Sequence, residues 1–175
     1  MSKINIMSHR LANMIAAGEV IERPSSVIKE LVENSIDAQA KHIEVEIFNA
    51  GRDKIIVKDD GEGMDEEDAK LAFKRHASSK LKDEYQLFKI KTMGFRGEAL
   101  PSISAVSKVT MMTSTGNNQG SKVTTSEENL TVEPYQAIKG TTFIVEELFY
   151  NTPVRLKYLK SDATEVAICC SISGN

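Results

Sequence analysis

Residues His42–Phe48 alternate, with Ile43, Val45 and Ile47 on one side of an extended chain and His42, Glu44 and Glu46 on the other. A period of two over such a run is the pattern of a half-buried strand. Asn49-Ala50-Gly51-Arg52-Asp53 then supplies turn chemistry, and Lys54–Lys58, carrying Ile55-Ile56-Val57, reads as a second strand. So short a connection joins antiparallel neighbours, so the two are expected to form a hairpin. An antiparallel pair with one wet face must bury the other under something, and that demand constrains the rest of the chain.

Further strands are expected at Lys108–Thr113, Gly120–Ser126, Leu130–Tyr135 and Thr141–Glu147, with turn signals at Gly116-Asn117-Asn118 and Lys139-Gly140. Helical spacing marks Leu11–Glu22, although Gly18 weakens it by about 1 kcal/mol relative to alanine. Pro24 breaks that segment and suits the first turn of the next, Val27–Ala40. There Ile28, Leu31, Val32, Ser35 and Ile36 share one side of the wheel, and Glu30, Asn34 and Asp37 share the opposite one. Helices are also expected at Asp65–Ala77, capped by Asp65, at Glu98–Val106 and from Pro153 to Leu159. Ser78–Gly97 has weak periodicity and reads as a long loop. Helices first, then mostly antiparallel strands, imply an α+β sandwich of helices on one sheet.

The chain has 175 residues, long enough for one domain with a sizeable core, and 41% hydrophobic residues with a net charge of −3 exclude a disordered, highly charged polymer. A chain that is not basic overall can meet nucleic acid only through a local patch. Its 2 cysteines, Cys169 and Cys170, are adjacent and have no metal-ligand spacing. With no apolar signal core or membrane-length run, a cytoplasmic protein is expected.

Four constellations could carry chemistry. Glu30, Asn34 and Asp37 put a carboxylate able to activate water beside an amide oxygen suited to Mg²⁺, though such a face is also an ordinary solvated surface. Asp59-x-Gly61-x-Gly63 ends a strand with an acceptor for an exocyclic amine and two points of close backbone approach, or is a plain strand-to-helix turn. Gly94-Phe95-Arg96-Gly97-Glu98-Ala99-Leu100 is a glycine-bearing loop entering a helix, a place where phosphate is held, with Arg96 and Lys80 adding charge. Phe149-Tyr150-Asn151-Thr152-Pro153, followed by Arg155, Lys157 and Lys160, is either a turn with a solvated basic face or a patch for a phosphate backbone.

Taken in order, these segments resemble the N-terminal ATPase domain of the MutL family of DNA mismatch repair proteins, within the superfamily of gyrase, heat-shock chaperone, histidine-kinase and MutL ATPases. The resemblance runs from about Leu11 to Leu159 and also rests on Ile15-Ala16-Ala17-Gly18-Glu19-Val20, Lys29–Ser35 and Arg75-His76-Ala77-Ser78-Ser79-Lys80. It implies a Bergerat fold, helices on a mixed, mostly antiparallel sheet. It also implies roles: Glu30 as the general base, Asn34 as the Mg²⁺ ligand, and Asp37 and Ala38 beside them. Asp59, with Gly61 and Gly63, would read adenine, and Thr141 would help hold it. Ser78, Ser79, Lys80 and Gly94–Leu100 would contact the phosphates from a lid. ATP would close that lid and dimerise the N-terminal domains, and the partners implied are DNA, bound weakly and without sequence preference, and mismatch-recognition and other repair proteins.

Two departures accompany the resemblance. Gln39 stands where the family usually has glycine after Asp37-Ala38. After Leu159 the family continues with a long amphipathic helix and a second domain whose lysine reaches the γ-phosphate, so residues 1–160 are expected to form the ATPase domain and 161–175 a truncated or atypical tail. The alternative is a remnant that binds nucleotide or a partner without turnover. A topoisomerase subunit or a sensor kinase is argued against by Phe149-Tyr150-Asn151-Thr152-Pro153.

Overall fold

The computed structural model describes residues 8–74, 99–117, 119–127, 129–159 and 161–173. The expected loop at Ser78–Gly97, and with it Ser78, Ser79, Lys80, Gly94, Phe95, Arg96, Gly97 and Glu98, lies outside them, as does Lys160.

Among the described residues, two helices come first, α1 (His9–Val20) and α2 (Pro24–Asp37). The hairpin follows as expected: β1 (Ile43–Phe48) and β2 (Lys54–Asp59) pair antiparallel across the 3-10 turn Asn49–Gly51. Then come α3 (Glu66–Leu71), α4 (Ala99–Ala105), β3 (Lys108–Ser114), β4 (Gly120–Ser126), β5 (Asn129–Tyr135), β6 (Gly140–Glu146), α5 (Pro153–Tyr158) and α6 (Asp162–Ser173). The strands form one sheet in the order β1-β2-β6-β3-β4-β5, and every pairing is antiparallel. The class is α+β as expected; the parallel component of a mixed sheet is absent among the described residues.

One face of the sheet holds the core. Ile55 and Val57 of β2, Val109 and Met111 of β3, Val123 of β4 and Phe143 and Val145 of β6 are buried there, with Val27, Ile28 and Leu31 of α2. Each such side chain contributes about 1.5–3 kcal/mol. α2 packs on β2, α1 packs on α4, and α6 packs on α2 and on the 3-10 turn.

Four local expectations change. α3 ends at Leu71, short of Ala77, with Ala72 and Phe73 in a turn. On α2, Ile36 is 57% exposed and not part of the core stripe. At about 100° per residue it lies well round the helix from Leu31 and Ser35. By the same geometry Glu30, Asn34 and Asp37 are half-buried on a flank of α2, not on its outermost face. Finally, residues 162–173, expected only as a tail, form a helix that buries Glu165 and Cys169. Its sequence, Val166-Ala167-Ile168-Cys169-Cys170, is apolar on consecutive residues and hides the helical period. Among the described residues no helix is long and apolar enough to cross a membrane.

Candidate functional site

β2 sends Ile55, Val57 and Asp59 to the same face. The first two belong to the core; the third carries a carboxylate to the same level at the strand's end, where it is 7% exposed. A carboxylate so placed needs donors. The Ser35 hydroxyl donates to Oδ2 at 2.7 Å, and the backbone N–H groups of Gly61 and Thr141 donate to Oδ1 at 2.9 and 3.2 Å. Ser35 Oγ also lies 3.1 Å from the Leu31 carbonyl. It has one proton, and the shorter, charge-assisted contact claims it. A carboxylate has about four lone-pair sites, so three donors leave room for one more.

Register extends this site across three strands. Asp59 lies opposite Thr141, and Thr141 opposite Thr113. The two threonine hydroxyls are 2.9 Å apart, and Thr113 Oγ1 accepts from the Met64 N–H at 2.9 Å and lies 3.2 Å from the Gly140 carbonyl. The arrangement is satisfied if Thr141 donates to Thr113 and Thr113 donates to Gly140, which leaves the lone pairs of Thr141 for a ligand. A row of polar groups therefore crosses the inner face beyond Val57, Phe143 and Met111.

The glycines of the loop after β2 allow its approach. A Cβ at Gly61 would lie 2.7 Å from the Ala38 carbonyl oxygen and 2.9 Å from the Ala38 Cβ. Gly63 has φ +70, and a Cβ there would overlap the Ser114 carbonyl. The loop can thus lie against the end of α2, where the Glu62 N–H donates to the Ala38 carbonyl at 2.8 Å. That end has the Schellman pattern: Gln39 N–H bonds the Ile36 carbonyl and Ala40 N–H bonds the Ser35 carbonyl. Its left-handed residue is Gln39, at φ 61. This conformation explains why glycine suits the position, and glutamine adopts it at a steric cost that glycine would not bear.

Asp60 turns away from its neighbour. Its Oδ1 accepts from the N–H groups of Lys41 and His42 at 2.8 and 2.9 Å, and its Oδ2 lies 3.2 Å from His42 Nδ1. These bonds, led by that from the His42 backbone, hold its carboxyl below the usual range. It ties the start of β1 to the loop after β2.

The structure thus brings Asp59, Gly61, Gly63, Thr141 and the end of α2 with Asp37 and Ala38 into one corner. Asn34 precedes Ser35 on α2, and Glu30 is about 6 Å further up the axis. Among the described residues no three His, Cys, Asp or Glu side chains are grouped to hold a metal. The Asn34 amide oxygen, half-buried on α2, is a hard donor of the kind Mg²⁺ takes when few protein oxygens are completed by phosphates. Ala99 and Leu100 are buried in α4. Arg155 does not join a solvated basic face: it is half-buried, and its Nη1 donates to the Ile21 carbonyl at 3.2 Å. Lys157 is exposed. Sequence reasoning missed Ser35, placed with the apolar stripe, and Thr113, whose only signal was a threonine at the buried parity of a strand. A separate hollow of about 410 Å³, lined by Glu66, Glu67, Gln119 and Pro134 among others, touches this corner only at Met64.

Residues 21–151 match the sequence model described as histidine kinase-, DNA gyrase B-, and HSP90-like ATPase. The chain belongs to this ATPase family. Within the family it is similar to the DNA mismatch repair proteins MutL of Geobacillus sp. (strain WCH70), 55% identical over 95% of this chain and 27% of that protein, and of Exiguobacterium sibiricum, 53% identical over 98% of this chain and 28% of that protein. The resemblance to MutL read from the motifs is borne out. The chain spans about a quarter of the length of these relatives. Two solved structures of the ATPase fold superpose on it: the N-terminal domain of a DNA repair protein, with TM-score 0.78 and 31% identity over 96% of this chain and 50% of that one, and the Aquifex aeolicus MutL ATPase domain complexed with ADP, with TM-score 0.68 and 33% identity over 88% of this chain and 54% of that one.

Proposed function

We propose that the chain binds ATP with Mg²⁺ at the corner between α2 and β2, hydrolyses it, and serves as the nucleotide-dependent switch of a MutL-type mismatch repair protein. The observation that carries this reading is the Asp59 carboxylate, held by Ser35, Gly61 and Thr141 with one acceptor site to spare. That spare site suits the exocyclic amine of adenine. The Thr141 hydroxyl, backed by Thr113, would hold the same ring. Similarity to a MutL ATPase domain complexed with ADP supports a nucleotide as the ligand.

Asn34 would supply an oxygen to Mg²⁺, which when bound neutralises phosphate charge. Glu30 would take a proton from the attacking water, and Asp37 and Ala38 would bring the end of α2 against the ligand. Ser78, Ser79, Lys80 and Gly94–Leu100 would contact the phosphates. Lys157 and Lys160 would offer charge to a DNA backbone; Arg155 would not, being committed to Ile21. Dimerisation on ATP and contact with mismatch-recognition and other repair proteins belong to the same proposal.

Phosphate release from Mg-ATP tests it. Wild type should turn over, and Glu30→Gln should bind Mg-ATP with affinity within about threefold of wild type while losing at least 10²-fold in rate, the usual contribution of a general base. Unchanged turnover in Glu30→Gln would remove the base from this residue. No release from folded wild type would leave binding without catalysis.

A further inference from the structure

The segment Phe149–Arg155 lies outside the Asp59 corner, yet it is tied to the end of α4 and to the junction that leads into α2. Phe149 is fully buried at φ 65, a left-handed conformation that aromatic residues rarely hold, so its surroundings fix it. Its N–H donates to the Val106 carbonyl at 2.7 Å, and Asn151 Nδ2 donates to the Ala105 carbonyl, the last residue of α4, at 2.9 Å. Arg155 reaches the other way. Its Nη1 donates to the Ile21 carbonyl at 3.2 Å, and its guanidinium carbon sits 6.0 Å from the Phe149 ring centroid. Gly18 leaves room for it: a Cβ there would lie 2.9 Å from Arg155 Cζ and overlap Nη2. Ile21 is fully buried, closes α1 through its N–H to Ala17, and precedes the start of α2 at Pro24.

We infer that Arg155 is a positioning residue for α2: by holding the Ile21 carbonyl in a slot opened by Gly18, it fixes the α1–α2 junction and so the placement of Glu30 and Asn34. The link to Glu30 and Asn34 rests on the proposed function; the link to the junction does not. The guanidinium performs this task through its planar fork and its face on Phe149, which an ammonium does not reproduce. Lysine would keep the charge that a DNA-phosphate contact needs.

The test compares wild type, Arg155→Lys, Gly18→Ala and the double variant by amide hydrogen exchange and by Mg-ATP calorimetry. Both single variants should speed exchange at residues 21–31 at least tenfold and leave β2 and β3 unchanged. Both should weaken Mg-ATP about three- to tenfold, and the double variant should be no worse than the stronger single, because the two changes break one contact. Junction exchange unchanged in Arg155→Lys, faster exchange throughout the sheet, or additive effects would each overturn the inference. If wild type binds no Mg-ATP, the proposed function fails, and the exchange arm alone decides whether Arg155 holds the junction.

Discussion

The two ends of α2 are built from different materials. At its C-terminal end the contacts are polar: Ser35 on Asp59, the Ala38 carbonyl on the Glu62 N–H, and Gln39 in a left-handed turn. At its N-terminal end they are tight and mostly apolar, with the Arg155 bond to the Ile21 carbonyl just before it. Pro24, Val27 and Ile28 are buried, and a Cβ on Gly51 would lie 2.7 Å from the Pro24 Cβ. One end presents groups that a ligand can use; the other fixes where those groups stand. A site on a helix needs both, and substitutions at the two ends should separate affinity from stability.

Asp59→Ala should produce the largest effect. It leaves the Gly61 and Thr141 N–H groups without their acceptor, at about 1–3 kcal/mol for a buried unpaired group, and turns the Ser35 hydroxyl to the Leu31 carbonyl, so thermal melting should fall and Mg-ATP binding should drop below detection. Next comes Ile28→Ala near the other end. Deleting a fully buried isoleucine should lower stability by about 2–5 kcal/mol in denaturant titration, while nucleotide affinity of the folded fraction stays within about threefold. Equal loss of affinity in both variants would erase the distinction between the ends.

Gln39→Gly should work in the opposite direction. Relief of the left-handed glutamine should raise stability by about 0.5–1 kcal/mol in denaturant titration, and a loss would mean that the Gln39 side chain makes up for its backbone. The smallest effect belongs to exposed Asp60, whose carboxyl is held below its ordinary value of 3.8 by the N–H groups of His42 and Lys41. A folded pKa lower than the unfolded one gives a contribution that is present above about 3.8 and is lost as pH falls through the folded value. Asp60→Asn should therefore lower stability slightly near neutrality, with the difference from wild type vanishing as pH falls through the folded value, so that the acid limb flattens. Separately, burial pushes the Cys169 thiol up to about 11, so at pH 8 a maleimide should label exposed Cys170 and spare Cys169.

Local pattern made much of this legible. Alternation in His42–Phe48 and the turn at Asn49–Asp53 specify a hairpin whose register ends with Ile43 opposite Asp59. The strand parity that buries Ile55 and Val57 also buries Asp59, one residue past the bounds expected for that strand. Thr113 could not be. Its place depends on β3 lying beside β6, a strand order that no local period encodes. Ser35 was legible as a wheel position but not as a donor, because its acceptor lies on another element. Arg155 was misread as solvated because the slot that receives it is a glycine on α1, remote in sequence. α6 was missed because an apolar run without a period reads equally as a tail or a buried helix.

The central claim is that Asp59 reads the nucleotide from within a satisfied network. Calorimetry of Mg-ATP and Mg-GTP binding to wild type and to Asp59→Asn tests it most directly, with melting curves as the folding control. Asparagine keeps the shape but replaces one acceptor oxygen with a donor. The account predicts that wild type prefers Mg-ATP over Mg-GTP by at least tenfold, and that Asp59→Asn stays folded and loses at least tenfold in Mg-ATP affinity. Folded Asp59→Asn that binds Mg-ATP as wild type does would contradict it.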